Sequence, residues 1–315
     1  MLRYLARQLA SMLVLLLLSS LVIYGSMYLA PGSADAVLFG SHTVLPAVRR
    51  AVDAQYHLNS PFWVQYWDWM TAAVRGNFGL SLALRTPVSL RLAAAAPTTV
   101  FLVIYASILI TVAGVGLGVI SALGGRKLDG AIMAVTNVGT SIPTFVAAIV
   151  LLEIFSIDLG WFPALGSGSG FAGRLAHLTL PAVALALWAV AYLTRVTRTS
   201  MRDELRGEHV VTARSRGLRE SLVVRRHVFR NALLPIVTVT GLQVAGLIAG
   251  TIIVEQAFGL NGLGQLLLTA VEQKDYATVQ AVALILVAAF VIVNTVVDVA
   301  YTMLDPRIRL GRREA

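Results

Sequence analysis

The chain has 315 residues, of which 57 % are apolar and only 13 % charged, with a net charge of +9 and no cysteine. Soluble domains carry about 25 % charged residues, so this chain lacks the polar side chains to cover a water-facing surface. Without cysteine there are no disulfides, thiolate metal sites or cysteine nucleophile, and basic residues set between long apolar runs point to membrane topology rather than nucleic acid.

A bilayer core about 30 Å thick needs roughly 20 helical residues to cross it. Six stretches free of Asp, Glu, Lys and Arg reach that length: 8–34, 92–125, 130–152, 175–194, 231–254 and 276–297. They show no period-two alternation, which argues against a barrel, and in lipid only helices otherwise satisfy every backbone group. The reading is an all-α integral membrane protein with six transmembrane helices. In chain order it predicts a cytoplasmic N-terminus (1–8), a first span (9–30), an external region with an amphipathic helix (31–95) and a second span (96–123). A third span (130–152), a fourth (175–195), a cytoplasmic loop (196–232), a fifth span (233–254), a sixth (276–298) and a cytoplasmic tail (299–315) follow. The first run is longer than the 7–15 apolar residues of a cleaved leader, so it is expected to stay as a span. The 16-residue stretch 256–271 contains Gly259, Asn261, Gly262 and Gly264 and reads as a loop with a short helix.

Orientation follows from the basic residues. One side holds Arg3, Arg7, Arg126, Lys127, ten arginines from Arg195 to Arg230, and Arg307, Arg309, Arg312 and Arg313, which is 18 of the 25. The positive-inside rule makes that side cytoplasmic and places both termini there.

In the external region, Trp63, Tyr66, Trp67 and Met70 fall at helical spacing. They read either as an interfacial helix anchored by aromatic rings or as a docking surface for an external partner. Gly114-Val-Gly-Leu-Gly118 looks like part of a dinucleotide fingerprint, but it lies inside a span, where close packing of small residues explains it better.

The cytoplasmic loop is the most informative segment. It carries ten arginines against Asp203, Glu204, Glu208 and Glu220, a balance of +6. A helix is expected from Thr197 to about Arg216, with Gly217 where a helix-terminating glycine belongs. Topology needs only a few charges, so ordered helix and stop signals here point to a segment that a partner grips.

Catalytic motifs are missing. The two lysines, Lys127 and Lys274, do not follow a glycine, so no Walker A loop is present. The five histidines form no His-Glu-x-x-His, and Gly166-Ser-Gly-Ser-Gly170 is out of register for a nucleophile elbow. Glu153 and Asp298 lie at opposite ends of spans, where charge is cheap, and are expected to be structural.

From the cytoplasmic loop outward, the sequence resembles the inner-membrane permease subunits of ABC importers, specifically the B-type subunit of the dipeptide, oligopeptide and nickel permease family. The pieces that carry the resemblance are Tyr56-His-Leu-Asn-Ser-Pro61 with Gln65-Tyr66, Gly76 to Ser81, Arg85-Thr-Pro-Val88 and Leu180-Pro181. Arg195 to Met201, Thr212-Ala-Arg-Ser-Arg-Gly-Leu218, Arg230-Asn-Ala-Leu-Leu-Pro235, Glu255, Phe258, Gly262-Leu-Gly264 and Asp298…Tyr301…Asp305-Pro-Arg-Ile-Arg309 complete them.

The resemblance implies a type I importer permease fold and a short coupling helix that docks on an ATPase subunit. That helix would involve Glu208, Val211, Thr212, Ala213, Arg214, Gly217 and Leu218, with Arg195, Arg198, Asn231 and Pro235 at the loop ends. Val211 stands where the family motif has glutamate, and Glu208 is the candidate substitute. Trp63, Tyr66 and Trp67 would then contribute to docking of an external substrate-binding protein. The further implied partners are a second homologous permease and two ATPase subunits. The chain itself would hold no cofactor, because ATP and Mg would bind to the ATPases. The expected cargo is a di- or oligopeptide. Nickel or a chelated metal, glutathione and sugar remain alternatives within the family, and a self-contained secondary transporter is a distant one. That last reading calls for paired discontinuous helices and midplane charges, which the runs lack.

Overall fold

The computed structural model describes residues 2–29, 60–81 and 83–304. The rest of the predicted external region and tail, including Arg49, Arg50, Tyr56 to Asn59 and Asp305 to Arg309, lies outside the described residues. The elements run α1 (Leu2–Leu29), α2 (Phe62–Val74), a hairpin of β1 (Leu80–Ser81) and β2 (Thr86–Pro87), α3 (Val88–Leu123) and α4 (Arg126–Ser141). They continue with α5 (Thr144–Asp158), α6 (Gly170–Leu205), α7 (Glu208–Ser215), α8 (Glu220–Ala257), α9 (Leu263–Glu272) and α10 (Tyr276–Leu304).

Among the described residues, α1, α3, α6, α8 and α10 are long and apolar enough to cross a membrane. The predicted third span, 130–152, differs from expectation. It is divided between α4 and α5, which meet at a bend of 104°; counted as one span, the pair brings the number to six. The cause is Pro143. Its ring disfavours helical backbone at the preceding residue, and Ile142 accordingly sits at φ −88°, ψ 119°, ending α4.

The predicted cytoplasmic loop is also more helical than expected. α6 runs on to Leu205 and α8 begins at Glu220. The single helix expected from Thr197 to Arg216 is interrupted at Gly207, whose backbone is extended (φ −67°, ψ 145°). A Cβ there would lie 2.5 Å from His209 Cε1, so the break suits glycine.

The chain forms two compact units, and both α3 and α10 contribute to each. The first lies within residues 1–99 and 261–291. In it, Val88, Leu92 and Ala95 form one stripe of α3 and pack with Leu263, Ala281 and Val282. The hairpin is fastened by Asp275, which is 2 % exposed. Its carboxylate accepts hydrogen bonds from Ser81 Oγ (2.5 Å) and Thr278 Oγ1 (2.7 Å), and Arg91 Nη1 lies 3.0 Å away.

The second unit, within residues 100–260 and 292–315, is centred on α6. Leu178, Ala182, Leu193 and Met201 of α6 share its core with Leu102 and Ile110 of α3. The Gly114–Gly118 pair lets these helices approach. A Cβ on Gly114 would meet Leu193 Cβ at 2.9 Å, and one on Gly118 would meet Thr197 Cβ at 2.4 Å. Gly116, on another face, has open space. The packing reading of this glycine run therefore holds, as expected for small residues between membrane helices.

Candidate functional site

The segment expected to be cytoplasmic is built around α7. Glu208 in its first turn complements the helix dipole. Val210 and Ala213, 0 % and 4 % exposed, face inward and join a cluster with Met201 of α6 and Val223 and Val228 of α8. Glu208, Val211, Thr212 and Ser215 are exposed, Val211 by 61 %. An eight-residue helix gains little stability alone, so this inward seam is what holds it.

The C-terminal end has a complete Schellman cap. Gly217 takes φ +72°, its N–H donates to Arg214 O (2.9 Å), and Leu218 N–H reaches back to Ala213 O (3.4 Å). These are the two bonds that define the motif. Arg214 does not project freely but forms a two-pronged pair with Glu220, Nη2 to Oε1 at 2.5 Å and Nε to Oε2 at 3.1 Å. This pair spans the turn into α8; both side chains are well exposed, so it adds direction more than stability.

His209 links the segment's ends. Its Nε2 lies 3.2 Å from Glu204 Oε2 and from His227 O, while Asn231 Nδ2 approaches at 3.3 Å. Asn231 is thereby brought to α7. Arg195 is half-buried on α6, and Pro235 is exposed within α8. Arg198 joins a different cluster around Asp129.

On α2, Trp63 and Trp67 are 65 % and 64 % exposed, one turn apart. Tyr66, expected beside them at a docking surface, turns inward instead. It is 9 % exposed, with Oη 2.8 Å from Ser20 Oγ of α1 and its ring 5.7 Å from that of Tyr24. Its phenol is a polar tip that must find a partner when the ring is buried, and α1 supplies one.

Glu153 and Asp298 are exposed, whereas Glu255, Asp275 and Asp129 are the buried carboxylates among the described residues. A short-range signal existed for Asp275, since an acid just before an apolar run reads as a helix N-cap. None existed for Asp129, whose arginine partners are distant in sequence. The second unit also holds an apolar cavity of about 760 Å³ between α3, α8 and α10. Its two threonines, Thr111 and Thr240, return their hydroxyls to Ser107 O and Ile236 O, so the wall presents hydrocarbon.

Comparison with known proteins places this architecture. Residues 114–310 match the family model described as binding-protein-dependent transport system inner membrane component. Residues 1–103 match the N-terminal model of the corresponding membrane component. The glutathione transport system permease protein GsiC of Escherichia coli (strain K12) is 34 % identical over 310 residues, covering 98 % of this chain and 99 % of that protein. GsiC of Salmonella typhi is 34 % identical over 313 residues with the same coverage. Among solved structures, inward-facing conformations of the MetNI methionine ABC transporter match with TM-scores of 0.58 and 0.56. The identities are 17 % and 19 %, and each match covers 68 % of this chain and 96 % of the other.

Proposed function

The chain belongs to the family of binding-protein-dependent transport system inner membrane components, and from that premise we propose that it is the subunit through which an ATP-driven importer admits short peptides. It is a multi-pass inner-membrane permease of an ABC importer with the type I fold. In the proposed assembly it pairs with a second homologous permease, two ATPase subunits and an external binding protein. ATP and Mg sit on the ATPases, and this chain supplies no catalytic group.

The observation that carries the reading is the construction of α7. A permease without a nucleotide site must receive its energy mechanically, and a rigid helix that moves packed helices with it can deliver it. α7 has a buried seam of Val210 and Ala213, a locked end at Gly217, and an outer face of Glu208, Val211 and Thr212. Glu208 shares that outer face with Val211, one turn away, and takes the role of the motif glutamate toward the ATPase. Of the three aromatic residues expected at an external docking surface, Trp63 and Trp67 are exposed and available to a partner, and Tyr66 is not.

Di- or oligopeptide is the proposed cargo. The relatives named for glutathione favour a second reading, in which the cargo is that particular tripeptide. Uptake by cells lacking the gene, measured in parallel with a labelled dipeptide, a longer peptide, glutathione and nickel, separates these. Selective loss of dipeptide and longer-peptide uptake is expected. Loss of glutathione uptake alone selects the second reading, and loss of nickel uptake alone overturns the peptide class.

A further inference from the structure

We propose that Asp129 is a positioning residue for energy coupling: it clamps the cytoplasmic ends of α3, α4 and α6 into one body, so that movement of α7 is passed to three membrane-embedded helices at once. The proposal rests on the reading of α7 as the coupling helix.

One carboxylate gathers three hydrogen bonds and a further ion pair. Oδ1 accepts from Ser121 Oγ (2.6 Å) and Arg198 Nε (2.5 Å), Oδ2 accepts from Arg198 Nη2 (2.8 Å), and Arg202 Nη2 lies 2.9 Å from Oδ2 as an ion pair. Arg202 Nη2 also lies 3.4 Å from Ser121 O. Ser121 is fully buried near the end of α3, Asp129 is in the first turn of α4, and the arginines stand one turn apart near the end of α6. Thus three elements converge on two oxygen atoms.

The geometry is unlike that of a surface pair. The side chains of Asp129, Arg198 and Arg202 are 12 %, 24 % and 32 % exposed. The Arg198 fork binds both oxygens, which fixes orientation as well as distance. Apolar contacts resist separation but allow sliding, because burial is non-directional; the fork removes that freedom where α3 and α6 are already in close contact at Gly118. Three residues beyond Arg202, α6 ends at Leu205, which packs in the same cluster as Val210 and Ala213 of α7. In that last turn Glu204 Oε2 lies 3.2 Å from His209 Nε2 of α7, so a displacement of α7 reaches the clamp through this contact and one helical turn.

The test uses the assembled importer in lipid vesicles, with spin labels at Val211→Cys on α7 and Val135→Cys on α4, both exposed positions of a cysteine-free chain. With the clamp intact, the label-to-label distance distribution is expected to stay equally narrow with and without ATP. Asp129→Asn is expected to broaden it clearly upon ATP binding while ATP hydrolysis continues, and Asp129→Glu, which keeps the charge, to restore the narrow form. A merely structural role would lower the amount of assembled complex without changing the width per complex. Wild-type width in Asp129→Asn overturns the proposal. If Asp129→Asn does not assemble, Arg198→Gln, which removes the fork and leaves Arg202 to balance the Asp129 charge, carries the test by the same criterion. Immobilisation of the Val211 label on addition of the ATPase reads docking separately. Docking with an unchanged width removes the clamp alone, whereas a label indifferent to the ATPase removes the coupling reading beneath it.

Discussion

Gly217 and Ala213 bear the most stringent requirements on α7, for different reasons. Gly217 holds φ +72°, which costs other residues about 1–2 kcal/mol, more for a β-branched side chain. Gly217→Val should therefore loosen the Schellman cap and lower transport by about tenfold or more, with the chain still inserted. Ala213→Asp should place a carboxylate without a partner in the Val210–Val223–Val228 seam, at a cost of several kcal/mol, and detach α7 while the membrane helices remain. Transport assayed beside membrane content checks both; wild-type transport in either variant contradicts the assignment. Gly217 was legible in the sequence because a stop signal is local. Asp129 was not, because its partner Arg198 lies 69 residues away and an isolated carboxylate at a span boundary resembles any other loop charge. Tyr66 was half legible: helical spacing put it on α2, but the 3.6 period does not say which face meets α1.

At the scale of elements, the long helices were legible because their defining property, about 20 residues without a charge, is written in consecutive positions. The bend at Pro143 escaped that criterion, since hydropathy is blind to chain direction. The Ile142-Pro143 step that causes it was nevertheless visible as a helix-ending signal. The continuity of the fourth span with the helix expected from Thr197 was missed for the opposite reason: charge marks where a helix leaves lipid, not where it ends. The α3–α6 contact gives an element-scale prediction. Gly118→Leu should destabilise the purified chain by about 1–3 kcal/mol, because its side chain must displace Thr197. Gly116→Ala should be neutral or stabilising, because its Cβ meets nothing within 4 Å. Thermal denaturation in detergent distinguishes the two, and equal sensitivity would contradict close packing at Gly118.

For the whole molecule, the excess of basic residues has more than one physical use. The count of 18 against 7 sets orientation, yet Arg198 and Arg202 are committed to Asp129 and Arg214 to Glu220. The segment expected to face the cytoplasm is therefore a built structure as well as a topology signal, and α7 is its exposed handle. Because the chain contains no cysteine, the most direct measurement is a single Val211→Cys variant, cross-linked in the assembled importer with a short thiol-to-amine reagent. Trp67→Cys on α2 is the control. A covalent product between Val211→Cys and an ATPase subunit, absent from the Trp67→Cys control, is the predicted result. An assembly that hydrolyses ATP but gives no such product from Val211→Cys would contradict α7 as the site at which energy enters this chain.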